Sequence, residues 1–193
     1  MPGKIIIVSA PSGCGKSTII NALMDRGVIN AQFSVSATNR SPRVGEIDGI
    51  NYHFLTDDQF RDAIAAGDFI EFEEVYPGRY YGTLRSEVEQ RMADGNNVIL
   101  DIDVCGGVNV KKMFGEKALA LFILPPSVEE LRVRLRSRGT DDESEINRRI
   151  SRAEYELGFA KDYDTSIVND DLEKAIAETG RAINEFTGHE PVR

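Results

Sequence analysis

The sequence predicts an α/β fold: a parallel-sheet core with helices on both faces, interrupted by two inserted segments. Three observations carry this. Short apolar runs without alternation, IIIV at 5–8, VIL at 98–100 and LALFIL at 119–124, suit strands buried on both faces. Helical patterns separate those runs, and alternating strands and helices pack as layers. Two long stretches, 33–84 and 127–158, break the alternation and read as inserts.

The elements follow in order. The first strand stops at a Gly/Ser/Pro cluster, after which Ile19, Ile20, Leu23 and Met24 share one helical face. Arg26-Gly27 ends that helix, because glycine accepts the left-handed cap. Residues 33 to about 84 are short, aromatic and strand-like, with several glycines and one helix near 57–66, and predict a small mixed lobe. Residues 127 to about 158 read as wholly helical. Ser127 with Glu130 and Thr140 with Glu143 form two capping boxes, and Arg138-Gly139 supplies the stop between them. TSIV at 165–168 is a weaker strand, and Leu172, Ile176, Ile183 and Phe186 fit a last helix opened by Asp170 or Asp171. One domain is expected, with core segments 1–32, 85–126 and 159–193, a lobe at 33–84 and a helical arm at 127–158.

Composition removes several classes. Hydrophobic residues make up 41% and charged residues 28%, ordinary for a globular chain. The 23 basic and 32 acidic residues leave a net charge of −9, which argues against non-specific nucleic-acid binding. The apolar runs are too short to span a bilayer, and the polar, glycine-rich turn from Ser9 is unlike a signal peptide. Two cysteines make no disulfide framework, so a reducing, cytoplasmic setting is expected. No Cys/His metal set exists; His53 has no partner at ligand spacing, and His189 lies near the end of the chain.

Chemistry begins at Ala10-Pro11-Ser12-Gly13-Cys14-Gly15-Lys16-Ser17-Thr18, between the first strand and the first helix. This is the P-loop pattern G-x-x-x-x-G-K-[ST], with Ala10 where the first glycine is usual, and it predicts a P-loop NTPase-type core. Glycines let backbone N–H groups converge on phosphate oxygens, and the helix N-terminus adds its positive end. Lys16 would reach the β- and γ-phosphates, and Ser17 would ligate Mg²⁺. Ala10 costs backbone freedom at the loop entrance only if that position needs a positive φ. Cys14 and Cys105 read as small fillers. Cys14 nonetheless sits where helix-end and lysine fields favour a thiolate, so its alkylation is expected to block ATP.

Farther along, Arg40 and Arg43 flank Pro42, which disfavours helix. Forked guanidinium groups are the natural donors to a monophosphate dianion, and Tyr52 and Tyr81 can add neutral O–H donors. Asp101 and Asp103 close the strand at 98–100 on one face, at the carboxyl end where ligands gather in open α/β sheets. Either could hold the water shell of Mg²⁺; Asp103 could instead cap a helix starting at Val104. Arginines 132, 134, 136, 138, 148, 149 and 152 crowd the helical arm. Such an arm can bring positive charge to a moving phosphoryl group. Glu145, Glu154 and Glu156 offer helical-spacing partners to most of them.

APSGCGKST at 10–18, FSVSATNRSPRVGEIDGINYHF at 33–54, FIEFEE at 69–74 and YYGT at 80–83 together resemble the guanylate kinase family. The likeness continues through ILDID at 99–103, PPS at 125–127, RLRSRGT at 134–140 and IVNDD at 167–171, and so covers essentially the whole chain. It implies transfer of the γ-phosphoryl of ATP to GMP, with Mg²⁺, and makes the two inserts a GMP-binding lobe and a lid. It also implies small-nucleotide partners, with neither nucleic acid nor membrane.

The resemblance gives the GMP phosphate to Arg40, Arg43, Tyr52 and Tyr81. For the base, guanine presents N1–H and its N2 amine side by side, which a carboxylate accepts and adenine cannot match. Period alone leaves Glu71 and Glu73 on one strand face, with Glu74 on the polar side. The resemblance selects Glu71, with Ser36 and Thr83 as hydroxyl partners; Thr83 stands where serine is frequent. It places Asp103 near the guanine amine and Asp101 near the metal or the acceptor. It makes Arg138 and Arg149 triphosphate contacts, Arg134 a lesser one, and sets Asn169 beside the adenine. Ser12, Gly13, Cys14, Gly15, Lys16, Ser17 and Thr18 would hold ATP, and Lys16, Arg43, Arg138 and Arg149 would act on the transferred group. Cys105 departs from a glutamine frequent there. Two rival readings are a kinase of a sugar phosphate, against which a base-reading Glu71 speaks, and a non-catalytic scaffold module, against which the intact loop speaks.

Overall fold

The first strand, β1 (Ile5–Ser9), is buried at every residue, as its unbroken apolar run requires. The computed structural model describes residues 2–137, 139 and 142–189. After β1 come α1 (Lys16–Asp25), β2 (Gln32–Phe33), β3 (Ala37–Thr38), β4 (His53–Phe54), α2 (Asp57–Ala66), β5 (Phe69–Tyr76) and β6 (Arg79–Leu84). The chain continues through α3 (Arg85–Ala93), β7 (Val98–Asp101), α4 (Val104–Phe114), β8 (Ala118–Leu124), α5 (Val128–Ser137), α6 (Glu143–Leu157), β9 (Thr165–Val168) and α7 (Leu172–Thr187).

The architecture is mixed α/β, with a parallel-sheet core carrying helices on both faces. The five-stranded sheet has the order β2-β7-β1-β8-β9; β2 pairs with β7 and β8 with β9, both parallel. A four-stranded sheet has the order β4-β3-β6-β5. Two compact units divide the chain: Met1–Ile5 with Gln32–Leu100, and Ile6–Ala31 with Asp101–Arg193.

In the first unit the β5–β6 hairpin pairs Glu71 with Thr83 and Glu73 with Tyr81. Behind it, Phe60 of α2 stacks on Phe69 at 4.5 Å and on Tyr80 at 5.6 Å, and with Ala37 forms a small core. The helix expected at 57–66 is there, fixed by a Thr56/Gln59 capping box and ended by Gly67 at φ 74°. In the second unit, α1 buries Ile19, Ile20 and Leu23 and ends at Arg26, followed by Gly27 at φ 62°. Helix α7 is capped by Asp171, whose side chain accepts the Lys174 N–H. Leu172, expected on its apolar face, is exposed: it opens the first turn, ahead of the buried Ala175 and Ile176.

Ser127 caps α5, its hydroxyl accepting the Glu130 N–H at 3.0 Å. Asp142 caps α6 through Glu145 N–H at 2.8 Å. Thr140, expected in that role, lies outside the described residues, as does Arg138. Among the described residues, no helix is long and apolar enough to cross a membrane.

Candidate functional site

The second unit builds an anion cradle where β1 runs into α1. Gly13 and Gly15 take φ 97° and 87°, turning the loop so that α1 opens at Lys16 with no acidic residue in its first turn. Ala10 needs no unusual backbone, since no described residue other than glycine has a positive φ. The loop is braced from beneath. Asn169, 5% exposed at the end of β9, donates its side-chain amide to the Cys14 carbonyl at 2.8 Å. A Cβ on Gly15 would stand 2.4 Å from that Asn169 nitrogen, and one on Gly13 would stand 2.8 Å from Leu131 Cδ1 of α5. Both glycines are therefore required by φ and by packing.

Polar side chains from several elements meet at the cradle. Lys16 Nζ pairs with the Asp101 carboxylate at the end of β7. Arg149 of α6 donates to Ser12 Oγ at 2.9 Å and to Glu145 at 3.2 Å. Ser17 and Thr18 are exposed on the first turn. Beneath them Ser9 Oγ donates to the Ile102 carbonyl at 2.9 Å, and Tyr163 donates to the Val104 carbonyl at 3.0 Å. Burial pushes the Tyr163 hydroxyl well above its usual range, so it stays protonated. Gly107 makes room for this pair, since a Cβ there would meet Tyr163 Oη at 2.1 Å.

Three expectations change here. Strand β7 ends at Asp101, and Asp103 is the N-cap of α4, accepting Cys105 and Gly106 N–H groups at 2.7 and 3.0 Å; its carboxylate serves the helix. Asn169 holds the loop backbone and is buried, which fits a brace and not an open adenine contact. Cys14 is fully buried, so its thiol is not presented to reagents, whereas Cys105 is exposed. Most arm arginines are paired, as their spacing to acidic residues predicts: Arg148 with Glu145 and Arg152 with Glu156, and in addition Arg134 with Glu130, Arg136 with Glu143 and Arg132 with Asn147. No group of three or more His, Cys, Asp or Glu is placed to hold a metal among the described residues. Mg²⁺ keeps most of its water and takes few protein oxygens; the exposed Ser17 hydroxyl and the Asp101 carboxylate are donors of that kind.

The first unit gathers the residues expected to read an acceptor. Thr83, 1% exposed, donates its hydroxyl to Glu71 Oε1 at 2.6 Å across the β5–β6 ladder. Glu74 turns outward and accepts the Gly78 N–H at 2.6 Å. Tyr52 and Tyr81 meet edge-on at 5.8 Å, and the Arg40 guanidinium lies 5.0 Å from the Tyr52 ring centre and 5.6 Å from that of Phe54. Ser36 is half-buried on the approach to β3, and its carbonyl accepts the His53 N–H at 2.9 Å.

Glu46 was not anticipated. It grips Arg40 through both oxygens at 2.6 Å and also accepts the Arg43 N–H at 2.7 Å. Those hydrogen bonds pull its carboxyl down to about 2 and hold Arg40 well above its already high range. Asn39 was also missed; it ties Tyr80, Gly78 and Asp57 together. His53, which has no partner at metal-ligand spacing, bonds Glu87 at 2.7 Å. Adjacency to Arg40 and Arg43 was the only sequence signal for Asn39 and Glu46, and nothing signalled Glu87.

A strand, a glycine-turned loop, a lysine-led helix and an arginine reaching back to that loop define a P-loop protein of the nucleotide-kinase type. A family model described as guanylate kinase matches residues 2–186. The chain is 55% identical over 190 residues to a guanylate kinase of Bacteroides thetaiotaomicron, covering 98% of this chain and 93% of that protein. It is 51% identical to one of Salinibacter ruber, covering 96% and 98%. A crystal structure of guanylate kinase from Anaplasma phagocytophilum aligns with TM-score 0.74 at 31% identity, covering 96% of this chain and 87% of that one. The chain belongs to the guanylate kinase family.

Proposed function

We propose that this chain transfers the γ-phosphoryl group of ATP to GMP, and to dGMP, giving ADP and the nucleoside diphosphate, in purine nucleotide metabolism in the cytoplasm. The observation that carries the choice of acceptor is the Thr83–Glu71 hydrogen bond at 2.6 Å. It orients a carboxylate, and a carboxylate accepts from guanine's N1–H and N2 amine while leaving adenine unmatched.

The cradle of Ser12, Gly13, Cys14, Gly15, Lys16, Ser17 and Thr18 binds the ATP phosphates through backbone N–H groups and the α1 terminus. Lys16 carries charge to the β- and γ-phosphates, and Asp101 keeps that ammonium oriented. Mg²⁺ bound with ATP neutralises phosphate charge; Ser17 would ligate it directly and Asp101 through water. Arg149, already at Ser12, stabilises the transferred group, with Arg138 as its counterpart. On the acceptor side, Arg40, Arg43, Tyr52 and Tyr81 hold the GMP phosphate, and Glu71, Ser36 and Thr83 read the base. A phosphate oxygen is nucleophilic at neutral pH, so no general base is assigned and positioning with electrostatics does the work.

A coupled ADP-release assay over GMP, dGMP, AMP, UMP and ribose bisphosphate tests the proposal. GMP and dGMP are expected to turn over, with AMP slower by orders of magnitude. AMP turnover equal to that of GMP would remove the basis for a guanine-reading Glu71.

A further inference from the structure

One cation of the first unit has no place in the acceptor set above. A cavity of about 400 Å³ is lined by Asn39, Arg40 and Arg43 from one side and by Asp57 and Arg79 from the other. Arg79 opens β6 at the hairpin turn, and strand period sets it on the same face as Tyr81 and Thr83. Asn39 fixes this turn on both sides of Arg79: its Oδ1 accepts Tyr80 N–H at 2.7 Å, and its Nδ2 donates to the Gly78 carbonyl at 2.7 Å. The same amide donates to Asp57 at 2.7 Å, so the turn is tied to α2 as well. Arg79 is thus held at the cavity by backbone bonds while its side chain remains exposed.

The charges decide what the cavity takes. Glu46 already matches the charge of Arg40 with a two-point grip. Arg79 makes no ion pair among the described residues; Arg43 feels the Glu46 charge without pairing with it, and the Asp57 carboxylate on this cavity accepts from the Asn39 amide. A phosphate monoester is close to a dianion at neutral pH, and Arg43 supplies only one uncommitted positive charge. Resting on the GMP reading, we propose that Arg79 is a third acceptor-phosphate arginine, binding the 5′-phosphate together with Arg43 and setting the affinity for the acceptor nucleotide.

The test compares wild type with Arg79→Ala, Arg79→Gln and Arg79→Lys, with thermal melting as the check on folding. Loss of one charge-assisted contact predicts that KM for GMP rises about 10- to 100-fold in the first two. The kcat value and KM for ATP stay within twofold, Arg79→Lys recovers part of the loss, and the salt dependence of KM for GMP becomes shallower. Inhibition by guanosine, which lacks the phosphate, stays unchanged. Equilibrium dialysis of GMP against wild type and Arg79→Ala reads the same contact without turnover. Equal GMP affinities overturn the inference, as does a weakening of guanosine as large as that of GMP. A wild type that binds GMP but does not phosphorylate it overturns the activity instead, and leaves the Arg79 comparison readable by dialysis.

Discussion

Glu71→Gln isolates the group proposed to decide the choice of acceptor. Thr83 donates to Glu71 Oε1 at 2.6 Å from a site 1% exposed, so the glutamine is expected to satisfy that hydroxyl with its own carbonyl oxygen. Its amide then presents N–H to guanine's N1–H and N2 amine, donor against donor. A hydrogen bond to a charged group contributes about 1.5–3 kcal/mol, and a donor left unmatched in the complex costs about 1–3 kcal/mol more. Together these predict a loss of about 2.5–6 kcal/mol, or about 10²- to 10⁴-fold in kcat/KM for GMP, with the activity on AMP little changed. Discrimination between the two purines should narrow by the same factor. The assay is coupled ADP release at saturating ATP, with thermal melting to show that the half-buried side chain has been exchanged without unfolding. A folded Glu71→Gln variant whose kcat/KM for GMP lies within threefold of wild type refutes the reasoning.

The loop carries its own test. In Gly15→Ala, φ 87° costs about 1–2 kcal/mol, and the new Cβ, 2.4 Å from Asn169 Nδ2, displaces a bond of about 1 kcal/mol, so Tm should fall by about 5–10 °C; an unchanged Tm would clear Asn169 of any bracing role. Glu46 titrates at about 2 in the folded chain against 4.5 for the free group. A depressed carboxyl contributes stability that is complete above the unfolded value and is lost as pH falls through the folded one. The Tm advantage of wild type over Glu46→Gln is therefore expected to shrink from pH 5 toward pH 2; a gap that is constant over that window contradicts the pairing with Arg40. The exposed Cys105 should react with a thiol reagent in the native protein while the fully buried Cys14 reacts only in denaturant; two fast thiols would contradict the burial.

What the sequence made legible shares one property: it is local. Strand β1, the glycine loop and α1 follow from an unbroken apolar run, two glycines that must turn backward, and a helical face beginning at Ile19. Helix α2 was readable for the same reason. Helix α3 was not, because only Val88 and Met92 are buried on a charged helix and no stripe can be seen. Partners distant in the chain were invisible. Asn169 and Cys14 are 155 residues apart, so nothing in IVNDD betrays a brace under the loop. Asp103 differs: its spacing from Asp101 suggested a shared strand face, but the strand stops at Asp101 and Asp103 caps α4, the other reading its place before Val104 allowed. The pairing of Arg40 with Glu46 runs across an irregular loop, where no periodicity applies.

The grip on Arg40 has a thermodynamic corollary. A free arginine side chain carries about 2 kcal/mol of rotamer entropy, and one that waits in water must surrender it when a ligand arrives. Arg40 has surrendered it already, clamped by Glu46 and laid against the rings of Tyr52 and Phe54. Its ordering is charged to folding, not to association. An anion meeting this guanidinium finds a rigid donor, so calorimetry on this contact should register heat with little disorder lost, whereas the exposed Arg43 must still be stilled on arrival.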